Sequence, residues 1–358
     1  MAFKISSNTV VNNSRKGTFA GVNVGSYTNS NRPSASTGDL IFNSSEGKLQ
    51  VWNGSEWKNV GGGSEGGGQT AVAKGGALFY RGTSVYHVIT SSGEFEFFHN
   101  TSGVEIVTIA GGGGGGHTIG GGGGAGGFIA SSNLYIPDGV YTVEVGAGGT
   151  ANNNGSDSSF SAPWFTQSGT AKGGGAGGNS GQSGNPGGSG GGGSHCGAPN
   201  GACNNAGSGT GGQGYAGGSG GNNGMSNYCA GGGGGAGGSG SNALAANRPI
   251  AQGTYNGNGG SGMYRSDMGF GPYMYFCAGG GGGGNRGPHP SYGQIQFEGA
   301  GGAVGGGNGA IPSTAVGQRT GAYSAGSGGG GGAQANVHGG AGASGVVIVK
   351  YPISIARG

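Results

Sequence analysis

YCAGGGGGAGG at Tyr228–Gly238, echoed by FCAGGGGGG at Phe276–Gly284, decides how this chain is read. Each places an aromatic, a cysteine and an alanine directly before a run of glycine. Such a run is either a flexible linker or a rod, because glycine has no side chain to bury and loses more backbone freedom on folding than any other residue. Fixing one residue's backbone costs roughly 1–2 kcal/mol. Between Gly173 and Gly240 there is no Val, Ile, Leu, Phe or Trp to offset that cost. A rod there has to be held by hydrogen bonds from backbone to backbone.

The glycines are unevenly placed. Of 104 in 358 residues, 17 fall in residues 1–110 and 87 in residues 111–358, which marks a boundary near residue 110. They come in blocks, such as Gly111–Gly116, Gly120–Gly124 and Gly328–Gly332, not at every third position, so collagen is excluded. Only 8% of residues are charged, and no acid lies between Asp157 and Asp267, so ion pairs cannot hold that part together. The net charge of +3 is small and unclustered, which argues against a nucleic-acid partner. No stretch approaches the ~18–20 apolar residues of a membrane span, so no membrane insertion is expected. The opening MAFKISSNTVVNNSRK lacks the pattern of a secretory signal.

Two features favour the rod. The glycine blocks alternate with segments such as MYRSDMGFGPYMYFC, a cargo foreign to linkers, and the chain closes on GASGVVIVKYPI, a strand signal that needs a partner. An extended left-handed helix of the polyproline II type has three residues per turn and no internal hydrogen bonds. Its N–H and C=O groups point outward and bond to neighbours, and any Cβ directed into the bundle holds those neighbours apart. A surrounded helix therefore needs unbroken glycine. A peripheral one spares a face for Ser, Ala or Asn, as in GGGGGAGGSGS and AGGAVGGGNGA. The fold class expected is mainly β plus polyglycine II.

Five parts follow. Residues 1–60 form a β module in which LIF, KLQVW and EWKNV make a three-strand meander with SSEG and NG turns. Residues 61–76 read as a flexible linker, residues 77–172 as a β-rich base, residues 173–345 as a polyglycine II bundle with display loops, and residues 346–358 as a C-terminal strand and tail. The strand VVIVKYPI pairs with the base, so the glycine-rich body is an excursion stapled at both ends into one sheet. Up-and-down threading puts loops 241–256 and 286–298 at one end of the bundle and loops 263–276 and 311–323 at the other. It also makes runs 230–240 and 278–285 codirectional, with Tyr228 and Phe276 closing one end. Cys229 and Cys277 then lie together. This favours a 229–277 bridge and a local 196–203 bridge between Cys196 and Cys203, against the alternative of four free thiols in a reducing cytosol.

No catalytic constellation stands out, and an enzyme is not expected. The six histidines are scattered without metal-motif spacing, no GK[ST] follows any glycine run, and no cofactor is implied. His195 beside Cys196 reads as part of a structural turn. Chemistry concentrates in NALAANRPIAQGTY, MYRSDMGFGPYMYFC, NRGPHPSYGQIQFE and IPSTAVGQRTGAY, each with one arginine and at least one tyrosine. Tyr and Arg on rigid supports are the residues most enriched at binding hot spots. The candidate contacts are Arg248, Tyr255, Tyr264, Arg265, Phe270, Tyr273, Tyr275, Arg286, His289, Tyr292, Arg319 and Tyr323. For several of these rings the alternative is packing on the bundle ends, and for Arg265 an ion pair with Asp267.

SSGEFEFF, VTIAGGGGGG, GGAGGFIASSNLYIPDGVYTVEVGAGG and GGAGASGVVIVKYPI resemble the glycine-rich domain of bacteriophage tail-fibre proteins, over about residues 84–352. The alternation of glycine runs with aromatic loops is similar to the receptor-binding tip adhesins of T-even-like phages, where a polyglycine II sandwich presents loops to the host. TGDLIFNSSEGKLQVWNGSEWKNV resembles a small, often trimeric module of phage particle proteins, including those of cyanophages. The N-terminus departs from the tip adhesins, whose attachment domain is of another kind. The resemblance implies an adhesin made in the host cytoplasm and carried on the virion. It implies a homo-trimer that meets other phage virion proteins through residues 1–60 and a host surface protein or glycan through its loops. A structural or decoration protein whose loops contact neighbouring subunits is the second reading. An ice-binding protein fits poorly, since that role wants a flat face of small residues.

Overall fold

The computed structural model describes residues 3–5, 8–11, 26–46, 48–59, 72–161, 169–195, 204–222, 227–243, 256–265, 275–277, 279, 284–286, 300–302, 306–309, 324–333 and 337–353. The chain divides into two compact units, Met1–Thr70 with Ser354–Gly358, and Ala71–Ile353. Among the described residues all regular structure is β, with no α-helix.

In the first unit β1 (Phe3–Ile5) pairs with β2 (Asn8–Val11). A four-stranded sheet contains β3 (Ser26–Tyr27), β4 (Leu40–Asn43), β5 (Lys48–Trp52) and β6 (Trp57–Asn59), in that order. The last three are the meander read from LIF, KLQVW and EWKNV. Its NG turn closes as an Asx turn: Asn53 Oδ1 accepts the N–H groups of Ser55 and Glu56 at 2.9 Å, and Gly54 takes a φ of 103°. Across the hairpin Trp52 and Trp57 are paired and meet edge to face, 5.6 Å between centroids.

The second unit starts on two five-stranded antiparallel sheets. One has the order β15-β14-β13-β10-β7, from β7 (Ala73–Lys74), β10 (Gly93–Phe97), β13 (Gly139–Glu144), β14 (Ser158–Ser161) and β15 (Thr170–Ala171). The other has the order β12-β11-β21-β9-β8, from β8 (Ala77–Arg81), β9 (Ser84–Ile89), β11 (Thr101–Ile109), β12 (Phe128–Ile136) and β21 (Val346–Pro352). The C-terminal strand is thus the centre of its sheet, with Val346 opposite Ile109 on β11 and Val347 opposite Ile89 on β9. Alternation along β21 splits its side chains between two cores. Val347, Val349 and Tyr351 pack with Phe95, Phe97 and Phe160 between the sheets. Val346 and Ile348 pack on the other face with Val107, Ile109, Phe128 and Phe276.

Val72–Gly76 departs from the linker expected over residues 61–76. Val72 and Ala73 are buried in the inter-sheet core, β7 pairs with β10, and Gly75 and Gly76 turn the chain at positive φ into β8. At Gly76 a Cβ would sit 2.7 Å from the Val88 carbonyl oxygen, so the turn admits no side chain. The buried imidazole of His87 closes this corner: Nδ1 lies 2.6 Å from Gly75 O and Nε2 lies 2.9 Å from the Tyr351 hydroxyl. Burial lowers its pKa, so a neutral ring donates to the carbonyl and accepts from the phenol.

Past β11 the backbone partners change with a three-residue repeat. Gly111 and Gly114 donate to Ser156 and Asn153, Gly112 and Gly115 to Ala343 and Gly340, and Gly113 and Gly116 to Gly124 and Gly121, at 2.8 to 3.0 Å. The carbonyls follow the same rule, accepting in pairs from Gly174 and Gly177, from Gly149 and Asn152, and from Gly329 and Gly332. One run therefore bonds to six neighbouring segments. The run 121–126 repeats the pattern, with partners in segments 175–178, 231–234 and 326–329. A Cβ at Gly112, Gly113 or Gly115 would lie 2.0 to 2.2 Å from a neighbour's carbonyl oxygen. Ala125 and Ala236 are tolerated because they face the apolar cluster under the sheet.

Between Tyr228 and Phe276 the threading has one reversal more than expected. Gly235 donates to Gly238 O and Gly232 to Ser241 O, so YCAGGGGGAGGSGS is two antiparallel runs joined at Ala236–Gly238. Gly257 and Gly260 donate to Ala230 and Gly233, making the next run parallel to the first. The run after it returns: Ala236 donates to Cys277 O, and β17 (Asn227–Cys229) pairs antiparallel with β20 (Gly284–Arg286), Cys229 opposite Gly284. β17 also pairs with β16 (Gly221–Asn222). Runs 230–240 and 278–285 are thus not codirectional, and the 229–277 bridge does not form. Cys277 lies level with Ala236 and Cys229 level with Gly284, so the two cysteines sit at opposite ends of the run. Cys277 is a free, fully buried thiol whose pKa burial raises. Cys196 and Cys203 lie outside the described residues.

Replacing Gly113 by Ala should cost about 1–3 kcal/mol or more, because the methyl meets the backbone of Gly175. Gly211→Ala, where a Cβ meets nothing within 4 Å, should stay within about 0.5 kcal/mol of the parent in the same denaturation experiment.

Candidate binding surface

The glycine-rich body has a sheet end and a distal end. At the sheet end β18 (Met263–Tyr264) pairs with β19 (Tyr275–Phe276), Met263 opposite Phe276 and Tyr264 opposite Tyr275. Phe276 closes this end, 5% exposed among Val346, Ile348 and Ile109. Tyr228, expected beside it, belongs to the other end of the run.

Arg265 is held by the sheet. Its guanidinium pairs with Glu105 on β11 and lies 6.0 Å over the Phe128 ring, while Lys350 Nζ shares the same carboxylate at 3.3 Å. Arg265 thus meets Glu105, a residue too distant in sequence for spacing to suggest, while Asp267 lies outside the described residues. Tyr264 keeps 43% of its surface exposed. Two recesses flank the β18–β19 ladder. One of about 400 Å³ is lined by Phe79, Val88, Phe276 and Ile348, and one of about 550 Å³ by Phe128, Met263, Tyr215 and residues 211–214.

The distal end is a gathering of turns. Gly116 donates to Gly121 O, Asn152 to Gly115 O, Gly332 to Gly116 O and His195 to Ile119 O. Thr118, Ile119 and Asn152 adopt positive φ in these turns. His117 and His338, both scattered in sequence, meet here with rings edge to face at 4.3 Å. The N–H groups of His117 and Gly339 bond to Asn152 Oδ1 (3.0 Å) and His117 Nδ1 (3.2 Å). Among the described residues no group of three or more His, Cys, Asp or Glu is placed to hold a metal.

The described residues that bracket 244–255 are also distal. Ala243 donates to Ser219 O, and Ala230 N–H is bonded to the Asn256 side chain at 3.3 Å. Arg286, which leads into 287–299, stands opposite Asn227 at the same end. Of the candidate contacts, Tyr264 and Arg265 are at the sheet end, with Tyr275 placed there by its backbone and Arg286 placed distally by its backbone. Arg248, Tyr255, Phe270, Tyr273, His289, Tyr292, Arg319 and Tyr323 lie outside the described residues.

The pattern of the glycine-rich domain family matches residues 89–352. The chain belongs to that family. No curated protein matches the chain in sequence. The family range begins on the last residue of β9 and ends on the last of β21, so it takes in the glycine-rich lattice and most of the two sheets that carry it.

Arg265→Ala should destabilise the second unit by about 1–3 kcal/mol, the cost of losing charged hydrogen bonds at a partly buried carboxylate. Lys350 remains to hold Glu105, so the protein should still fold, with a lower midpoint in chemical denaturation.

Proposed function

We propose that this protein is a non-enzymatic adhesin of a bacteriophage tail fibre or another external virion structure. Its glycine runs are polyglycine II helices, and its distal loops meet a host surface protein or glycan. The helix assignment rests on the three-residue repeat of hydrogen-bond partners, since a three-fold helix returns each N–H to the same neighbour every third residue. The observation that carries the functional reading is the location of residues 243, 256 and 286. These three residues flank the segments bearing Arg248 and Tyr255, and His289 and Tyr292, and all three lie at one end of the scaffold. Loops on a backbone lattice vary without touching what holds the fold, which suits a surface that must track a changing receptor.

In this reading residues 1–60 anchor the chain to other virion proteins, as a homo-trimer, and no cofactor, nucleic acid or membrane insertion is involved. The alternative, a structural or decoration protein, uses the same loops against neighbouring subunits.

Replacing 244–255 and 287–299 together by short Gly/Ser turns should abolish adsorption of the purified protein to susceptible bacteria, with a nearly unchanged thermal midpoint. Retained adsorption by that variant would rule out the distal loops as the receptor contact. Loss of particle assembly with adsorption intact would favour the structural alternative.

A further inference from the structure

Tyr215 is not needed by the scaffold that contains it. No other Phe, Trp or Tyr occurs between Lys172 and Tyr228. Its backbone serves the lattice, donating to Gly235 O at 3.2 Å and accepting from Gly190 at 3.0 Å, which glycine would do equally well. The residue is 51% exposed. It instead lines the 550 Å³ recess beside β12, together with Phe128 and Met263.

The turn that precedes Tyr215 and lines the same recess is fixed in advance. Gln213 N–H donates to Thr210 O (3.0 Å), the Thr210 hydroxyl donates to Gly187 O (2.9 Å), and Phe128 N–H donates to Gln213 O (3.0 Å). The Gln213 side chain is bonded at both ends, its amide nitrogen to Thr170 O (3.3 Å) and its oxygen to Lys172 N–H (2.8 Å). A site held this way loses little freedom on binding.

The lining narrows the ligand. The volume falls within the ~300–1,000 Å³ of small-molecule sites. Among the described residues no Asp, Glu, Lys, Arg or His lines it, and the Arg265 guanidinium over Phe128 is paired with Glu105, so the recess offers a charged ligand little counter-charge. An entirely apolar ligand would cover the peptide groups of Gly211 and Gly212 without satisfying them. The chemistry that fits is a flat, weakly apolar face rimmed by hydroxyls.

We propose that this recess binds an uncharged saccharide unit, with the Tyr215 ring as its stacking platform and the peptide groups of Gly211 and Gly212 meeting its hydroxyls. The site is at the sheet end, away from the distal loops, and goes beyond the adhesin reading without depending on it.

The test uses the full-length chain on an array of neutral hexose and N-acetylhexosamine oligosaccharides, followed by saturation-transfer NMR with any sugar captured. At least one should bind. Tyr215→Ala should weaken it about tenfold or more, as loss of one ring-stacking contact does, while Tyr215→Phe keeps most of the affinity. Gly211→Trp, at a recess position open enough for a side chain, should block binding with the thermal midpoint retained. Capture of no neutral glycan, or capture unaffected by both Tyr215→Ala and Gly211→Trp, overturns the proposal. Adsorption to bacteria that persists in Tyr215→Ala leaves the distal-loop adhesin standing whichever way the saccharide result falls.

Discussion

The second unit depends on hydrogen bonds that pass sideways between backbones with no side chain between them. A run such as Gly111–Gly116 spends every N–H and C=O on a neighbour and approaches each so closely that a methyl would strike a carbonyl oxygen. Each bond is worth about 0.5–1.5 kcal/mol net, against a cost of roughly 1–2 kcal/mol for fixing each residue. A lattice with so thin a margin needs a frame. The two sheets supply it: the chain first leaves them at Ile109 and last returns at Val346, and these two residues stand opposite each other in one ladder. Closing an excursion of that length costs entropy that grows only slowly with length. The buried aromatics between the sheets, Phe95, Phe97, Phe160 and Tyr351, supply the apolar burial that the lattice lacks.

This arrangement gives the two ends of the body different tasks. At the sheet end Phe276, Cys277 and Ala236 complete an apolar cluster, and Arg265 is tied to Glu105, so the residues there are partly committed to structure. At the distal end the Asn152 and His117 side chains bond turn N–H groups, but the glycine runs behind the turns are bonded through their backbones and need no side chain from the loops. That freedom is what makes the distal loops the better place for a receptor contact in the proposed adhesin, and Tyr215 is an exposed aromatic at the sheet end.

The strands were legible because their signals are local. LIF, KLQVW, GEFEF, VEIVTI and VVIVKYP carry β-branched and aromatic residues at a period of two, and the last had to find a partner. The need for glycine in the runs was legible too, since only a close backbone contact explains so many. What escaped was set by distant contacts. Ala73, in a stretch that reads as linker, is strand because Phe97 stands opposite it. The reversal at Ala236–Gly238 left no mark, since a chain of glycines turns anywhere without a special residue, and that one reversal separated Cys229 from Cys277. His117 met His338, and Arg265 met Glu105, across separations that no spacing rule spans.

Hydrogen–deuterium exchange, resolved by residue, tests the lattice most directly at Gly113, Gly122, Gly123 and Gly234. The account predicts that these amides, none in a β-strand, exchange about a thousandfold or more slower than free glycine, because each is bonded to a buried neighbour. Exchange at the free rate would mean that the sideways bonds do not hold in solution, and the scaffold would be a flexible chain between two sheets.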